Sequence, residues 1–219
     1  MLLVLLLLQT SQMVHPLSSV QAEQEGDYEY FFVDGGSAVR ISEYSGTADE
    51  VTIPDELGGL PVVEISIGAF REKGLTEVTL PNTVTEIGYE AFAGNDLTEV
   101  IIPDSLAEIG PNAFQGNQLT SLTLPSNLTT ISEGAFRNDK LSTVTIPNSV
   151  TVIESWAFQG NELTSVHLST HLTSIQREAF ASNELTQLTL PDSVTEIEYA
   201  AFNDNQLTDL ILSNSLTTI

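Results

Sequence analysis

The sequence contains no cysteine, so no disulfide staples the chain and its stability has to come from a buried core, which 219 residues are enough to build. The same absence leaves the redox compartment unread. Basic residues are scarce: 6 Lys and Arg stand against 30 Asp and Glu, for a formal net charge of −24. A field of that sign repels phosphate backbones and anionic lipid, so nucleic acid and direct membrane binding are not expected partners. The acidity is equally what a solubility or high-salt adaptation produces with no partner at all. Long apolar runs are missing after the first residues. Met1–Gln9, MLLVLLLLQ, is too short to cross a bilayer, which takes about 20 residues. It reads as the apolar region of a signal peptide spanning residues 1–22, with Val20 and Ala22 at the −3 and −1 positions of the cleavage site. No Lys or Arg precedes it, as expected of a start internal to a truncated gene, and no cysteine is present to carry a lipid anchor.

Catalytic constellations are also missing. The chain has no nucleophile elbow, no histidine with a fixed acid partner, no metal trio and no glycine-rich phosphate loop. No catalytic residue, metal or cofactor is therefore assigned, and the chain reads as non-enzymatic. Two weaker patterns were weighed. Glu64, Glu86 and Glu108 recur in one slot, and as a column they would offer carboxylates to Ca²⁺ or form a solvated acidic edge. His167 and His171 form H-x-x-x-H, but on a strand-then-turn path rather than one helix face, which disfavours zinc.

What is present is repetition. Phe70, Phe92, Phe114, Phe136, Phe158, Phe180 and Phe202 stand 22 residues apart, each after an alanine. A fixed period of this length means a solenoid whose coils stack their apolar positions. Coils starting at Leu75, Leu97, Leu119, Leu141, Leu163, Leu185 and Leu207 each open with apolar-x-x-apolar-x-apolar, rich in threonine, which predicts a short strand joining one parallel sheet. Pro81, Pro103, Pro125, Pro147 and Pro191 end those strands, with Ser169 and Ser213 in the same slot elsewhere. Asn95, Asn117, Asn161, Asn183 and Asn205, with Asp139 in register, precede each new strand and predict a ladder bonding backbone groups left over by the turn.

The unit L-x-x-V-x-[IL]-P-x-x-[VL]-x-x-I-x-x-x-AF-x-x-N-x resembles the BspA-type leucine-rich repeat of bacterial surface proteins, and the likeness covers roughly residues 51–219. It implies a leucine-rich repeat solenoid: right-handed, mainly β, with 22-residue coils, short parallel strands and turn or short-helical connections. It further implies a secreted or cell-surface chain that binds other macromolecules, and it carries over no catalytic residue. Function stays open between a module that recognises a protein or glycan, a structural spacer of a larger protein, and accessory repeats of a carbohydrate-active enzyme whose catalytic part lies elsewhere.

Residues 23–50 read as an N-terminal capping hairpin, two β-rich runs around Asp34-Gly35-Gly36. An aromatic ligand platform is its alternative reading. Residues 51–219 are the solenoid, whose first coil carries five extra residues within Asp55–Pro61, expected as a surface loop. The last coil starts at Leu207 and stops before its Ala-Phe segment, so the natural chain is expected to continue or to associate end to end through an uncapped coil. The expected recognition face consists of the outward strand positions Glu77, Glu99, Ser121, Thr143, Ser165 and Gln187 beside Thr79, Ile101, Thr123, Thr145, His167 and Thr189. Aromatics before the Ala-Phe pair, Tyr89, Trp156 and Tyr199, are a second place for a partner or glycan to touch, or simply cover the coil edge.

Overall fold

The computed structural model describes residues 21–219, so the signal-peptide reading of residues 1–22 lies outside the described residues except at Gln21 and Ala22. The chain then enters an antiparallel sheet of β1 (Glu23–Glu25), β2 (Tyr28–Val33) and β3 (Ala38–Tyr44). The turn between β2 and β3 uses Asp34, Gly35 and Gly36, all at positive φ, which glycine adopts at least cost. β3 is also the first rung of the solenoid: Val39, Arg40 and Ile41 pair in parallel with Val62, Glu64 and Ile65. Its last ring, Tyr44, is 3% exposed and stacks on Phe70 at 5.2 Å. Tyr28 packs on Tyr44 at 5.4 Å, and burial pushes its hydroxyl up to about 12, with Tyr44 and Asp27 adding to the shift. Tyr30 is buried as well. These rings close the end of the phenylalanine column, which is the work of a cap.

After β4 (Glu50–Thr52), the inserted residues, expected as a surface loop, form a short ordered hairpin. β5 (Glu56–Leu57) pairs with the start of β6 (Leu60–Ile65) across Gly58 and Gly59, whose φ values are +60° and +74°. The hairpin is pinned to the cap by Leu57, 2% exposed, and by the Gly58 N–H, which donates to Glu25 Oε2 at 2.8 Å. Burying that leucine is worth more to the chain than leaving the insertion in water.

From residue 60 on, the coils contribute two short extended segments rather than one, reduced to a single bridge at Ile101, Thr123 and Thr218. The first is the threonine-rich strand read from the sequence. The second is a two-residue rung ending on the conserved-register isoleucine of each coil: Ile65, Ile87 and Ile109 form one ladder, and Ile131, Ile153, Ile175 and Ile197 another. Two residues are too few to show a period, which is why sequence patterning did not find this second ladder. The segments joining them are hydrogen-bonded turns. Where serine replaces proline, the turn is held by the side chain: buried Ser169 and Ser213 accept the N–H of His171 and Ser215 on Oγ at 3.1 and 3.0 Å.

The core is columnar. Rings from Phe70 to Phe202 stack in sequence at 5.1–5.7 Å with planes 2–16° apart. Beside them runs the asparagine ladder. Asn161 is typical: its amide nitrogen donates to the carbonyls of Phe136 and Phe158 at 2.8 and 3.1 Å, and its Oδ1 accepts the Leu141 N–H at 3.0 Å. Each asparagine rung pairs backbone groups of two coils, which would otherwise cost the full penalty of an unsatisfied polar group.

Candidate functional site

Inward residues of the first ladder anchor the expected face. Val78, Val100, Val144 and Leu188 are buried, so the residues on either side must point out of the sheet. Register then builds the two columns. Thr79, Ile101 and Thr123 are bridged in parallel, Thr143 and Thr145 pair with Ser165 and His167, and Gln187 and Thr189 pair with Asp209 and Ile211. All twelve expected residues lie on this side. Ser165 is half-buried and the other eleven are exposed. Ile101 is 76% exposed, a large apolar side chain that no neighbour covers.

Charge divides the face. Glu50, Glu77 and Glu99 make its N-terminal part acidic, while the stretch from Ser121 to Thr189 holds no carboxylate and no ammonium. The sheet is also less continuous than a single parallel sheet. Pairing is broken between Thr123 and Thr145 and between His167 and Thr189. A shallow cleft of about 500 Å³ lies at the second break, lined by Ser165, His167, Gln187 and Thr189. Another, about 390 Å³, lies among Glu77, Thr79, Glu99 and Ile101.

A second surface, the acidic column read from the sequence, lies over the isoleucine ladder. Glu64, Glu86 and Glu108 are direct cross-strand partners there, and they line a cleft of about 540 Å³ together with Tyr89 and Pro111. Desolvation, then the charges of Glu64 and Glu108, raise the Glu86 carboxyl, and Arg40 partly offsets them. Arg40 reaches Glu64 at 3.8 Å. No cluster of three or more metal-binding side chains occurs among the described residues. His171 is not aimed at His167: its Nδ1 donates to the Asn148 carbonyl at 3.0 Å.

The aromatics before the Ala-Phe pair do not form one platform. Tyr89 and Tyr199 are 44% and 73% exposed. Trp156 is half-buried between the guanidinium groups of Arg137 and Arg177, at 5.9 and 6.0 Å from its ring, and Arg177 also covers Tyr199 at 5.3 Å. The indole faces are thus taken up within the chain.

Stacked coils of about 22 residues, each with a short strand, an amide rung and a core ring, define the molecule as a leucine-rich repeat solenoid. Residues 44–164 and 153–219 match the BspA type leucine rich repeat region in 6 copies, and the chain belongs to that family. It is similar to a leucine-rich cell surface protein of Faecalibacterium prausnitzii, with 29% identity over 87% of this chain and 56% of that one, at a TM-score of 0.75. A leucine-rich repeat protein of Bacteroides ovatus is likewise 29% identical, over 89% of this chain and 54% of the other, at a TM-score of 0.79. The T. pallidum leucine-rich repeat protein is 27% identical over 87% and 86% of the two chains, at 0.68. The chain spans little more than half the length of the first two. No curated protein matches it.

Proposed function

We propose that this chain is a secreted or cell-surface, non-enzymatic binding module that recognises a protein partner through the outward face of its first ladder, centred on Ser121–Thr189. One observation carries the reading: in a chain of net charge −24, the middle of this face is free of charge and stands on a packed core. Uncharged side chains on a rigid sheet are desolvated cheaply and lose little entropy on contact. Ile101 at its margin adds exposed apolar area of the kind that binding surfaces bury. A protein is favoured over a glycan because the face carries no Phe, Tyr or Trp ring on which a sugar would stack. The extracellular setting is supported by the family and by the F. prausnitzii relative, described as a cell surface protein. A second reading, a spacer orienting another domain, draws on the same column of packed coils.

The test is a panel of purified extracellular proteins and glycans titrated against the chain and against the triple variant Thr123→Glu, Thr145→Glu, His167→Glu. A protein ligand that loses about tenfold or more in affinity, with the melting curve of the variant intact, supports the face. Unchanged affinity in a folded variant excludes it. A glycan as the ligand transfers the reading to carbohydrate recognition, and no ligand in the panel favours the spacer.

A further inference from the structure

One rung of the amide ladder is an acid. Asp139 is 5% exposed, and its Oδ1 accepts the Leu119 N–H at 3.2 Å, just as Asn117 and Asn161 accept those of Leu97 and Leu141 at 3.2 and 3.0 Å. The other terminal atom differs. In Asn117 and Asn161 it is a nitrogen that donates to two phenylalanine carbonyls, one in the preceding coil and one in its own, at 2.7–3.1 Å. In Asp139 it is Oδ2, buried and without a hydrogen-bond partner. The register of the ladder sets this oxygen against the carbonyls of Phe114 and Phe136. An ionised carboxylate only accepts, so it meets two further acceptors with nothing between them. A protonated one has a donor, and gives the Phe114 carbonyl the bond that an asparagine would give.

That bond crosses the interface between residues 97–118 and residues 119–140, where the second ladder is also open. Ile87 pairs with Ile109 and Ile131 with Ile153, but Ile109 and Ile131 are not paired. Phe114 and Phe136 stack there at 5.7 Å, the same spacing as Phe136 and Phe158. The two coils are still joined by the first ladder, through the Thr120 N–H to the Thr98 carbonyl at 3.2 Å and the Ile101–Thr123 bridge, and by the N–H groups of Asn112, Phe114 and Gly116, which donate to Glu133, Ala135 and Arg137 at 2.8–3.0 Å. An orphaned acid and an open ladder thus meet at one interface.

We propose that this interface is a proton-gated seam, shut when the Asp139 carboxyl donates to the Phe114 carbonyl and loosened when that proton leaves. Burial pushes the carboxyl from 3.8 up to about 7, opposed in part by the backbone N–H groups of Leu119 and Asn117. No charged side chain contributes. Asn117 and Asn161 fill the adjoining rungs, Phe114 and Phe136 are apolar, and the flanking turns carry half-buried Arg137 and exposed Lys140 and Glu162. Because the folded value is raised, the stabilisation is complete below about pH 4 and is lost as pH rises through about 7. The seam separates the acidic part of the outward face from its uncharged middle, so proton loss frees two stiff blocks to change their relative angle.

Hydrogen exchange reads the seam directly. The amides of Asn112, Phe114 and Gly116 donate across it to Glu133, Ala135 and Arg137, and those of Glu90, Phe92 and Gly94 cross the preceding interface to Pro111, Ala113 and Gln115. After correction for intrinsic exchange, protection of the first set is expected to fall about tenfold or more relative to the second between about pH 5 and about pH 8. Asp139→Asn should abolish that difference. Equal pH responses at both interfaces in the natural chain, or persistence of the difference in Asp139→Asn, would each overturn the proposal.

Discussion

Phe136 is held by a ring above and a ring below, Phe114 and Phe158, each at 5.7 Å. Phe202 has Phe180 on one side at 5.6 Å and, among the described residues, no ring on the other. Phe136 is wholly buried, whereas Phe202 is half-buried. Truncating a buried aromatic costs about 3–5 kcal/mol, and Phe136→Ala is expected to cost that much. Phe202→Ala should cost less than half of it, because one neighbour is lost instead of two. Denaturant midpoints of the two variants check this, and equal losses would contradict nearest-neighbour stacking. These phenylalanines were legible from their spacing alone. The role of Asp139 was not, because Asn and Asp are both ordinary turn residues and only burial tells them apart.

At the scale of the element, the turn around Ala-Phe carries a constraint that sequence does not advertise. The residue two before each phenylalanine, Gly68 through Ala200, has φ between +52° and +62°, although only Gly68 and Gly134 are glycines. Trp156 accepts this conformation, which is costly for a bulky side chain. Its N–H then donates to the Arg177 carbonyl of the next coil at 3.0 Å, and Glu90, Asn112 and Glu178 do the same. Inter-coil bonding therefore overrides local preference. Gly88 and Gly110 answer to a different demand. A Cβ on Gly110 would lie 2.6 Å from Gly88 C and 2.8 Å from Tyr89 N, both backbone atoms that cannot swing aside. Gly110→Ala should destabilise the chain by about 1–3 kcal/mol, with exchange rising at the Ile87–Ile109 rung. An unchanged melting curve would show that the coils have room to separate there. The ladder gap coincides with the step from Gly110 to Ser132 in this column, where the side chain returns.

For the whole molecule, charge opposes what packing builds. With a net charge of −24, the carboxylates repel one another along the stack, most directly Glu64, Glu86 and Glu108, which lie on adjacent rungs. Raising salt from about 0.01 to about 0.5 M shortens the screening length from about 30 Å to a few ångströms. Melting temperature is expected to rise by several degrees over that range. A flat response would mean that solvent already screens the columns. The same repulsion acts on a bound partner, so affinity at the uncharged middle of the face should depend on salt less than binding near Glu77 and Glu99 would.

By itself the sequence determined the repeat, the core columns, the outward positions and the turn at Asp34–Gly36. Each of these follows from a period or a turn signature, and a period is a property of order along the chain. Tertiary structure alone decided the second ladder, the folded insertion at residues 55–61, the gaps that divide the outward face, and the meeting of an unpaired acid with an open rung. Those depend on what the neighbouring coil offers at each height: a carbonyl for Asp139 Oδ2, a backbone too close for a Cβ at Gly110, an unpaired edge beside Ile109. Nothing in a single coil specifies its neighbour, so these features arise only when the coils are stacked.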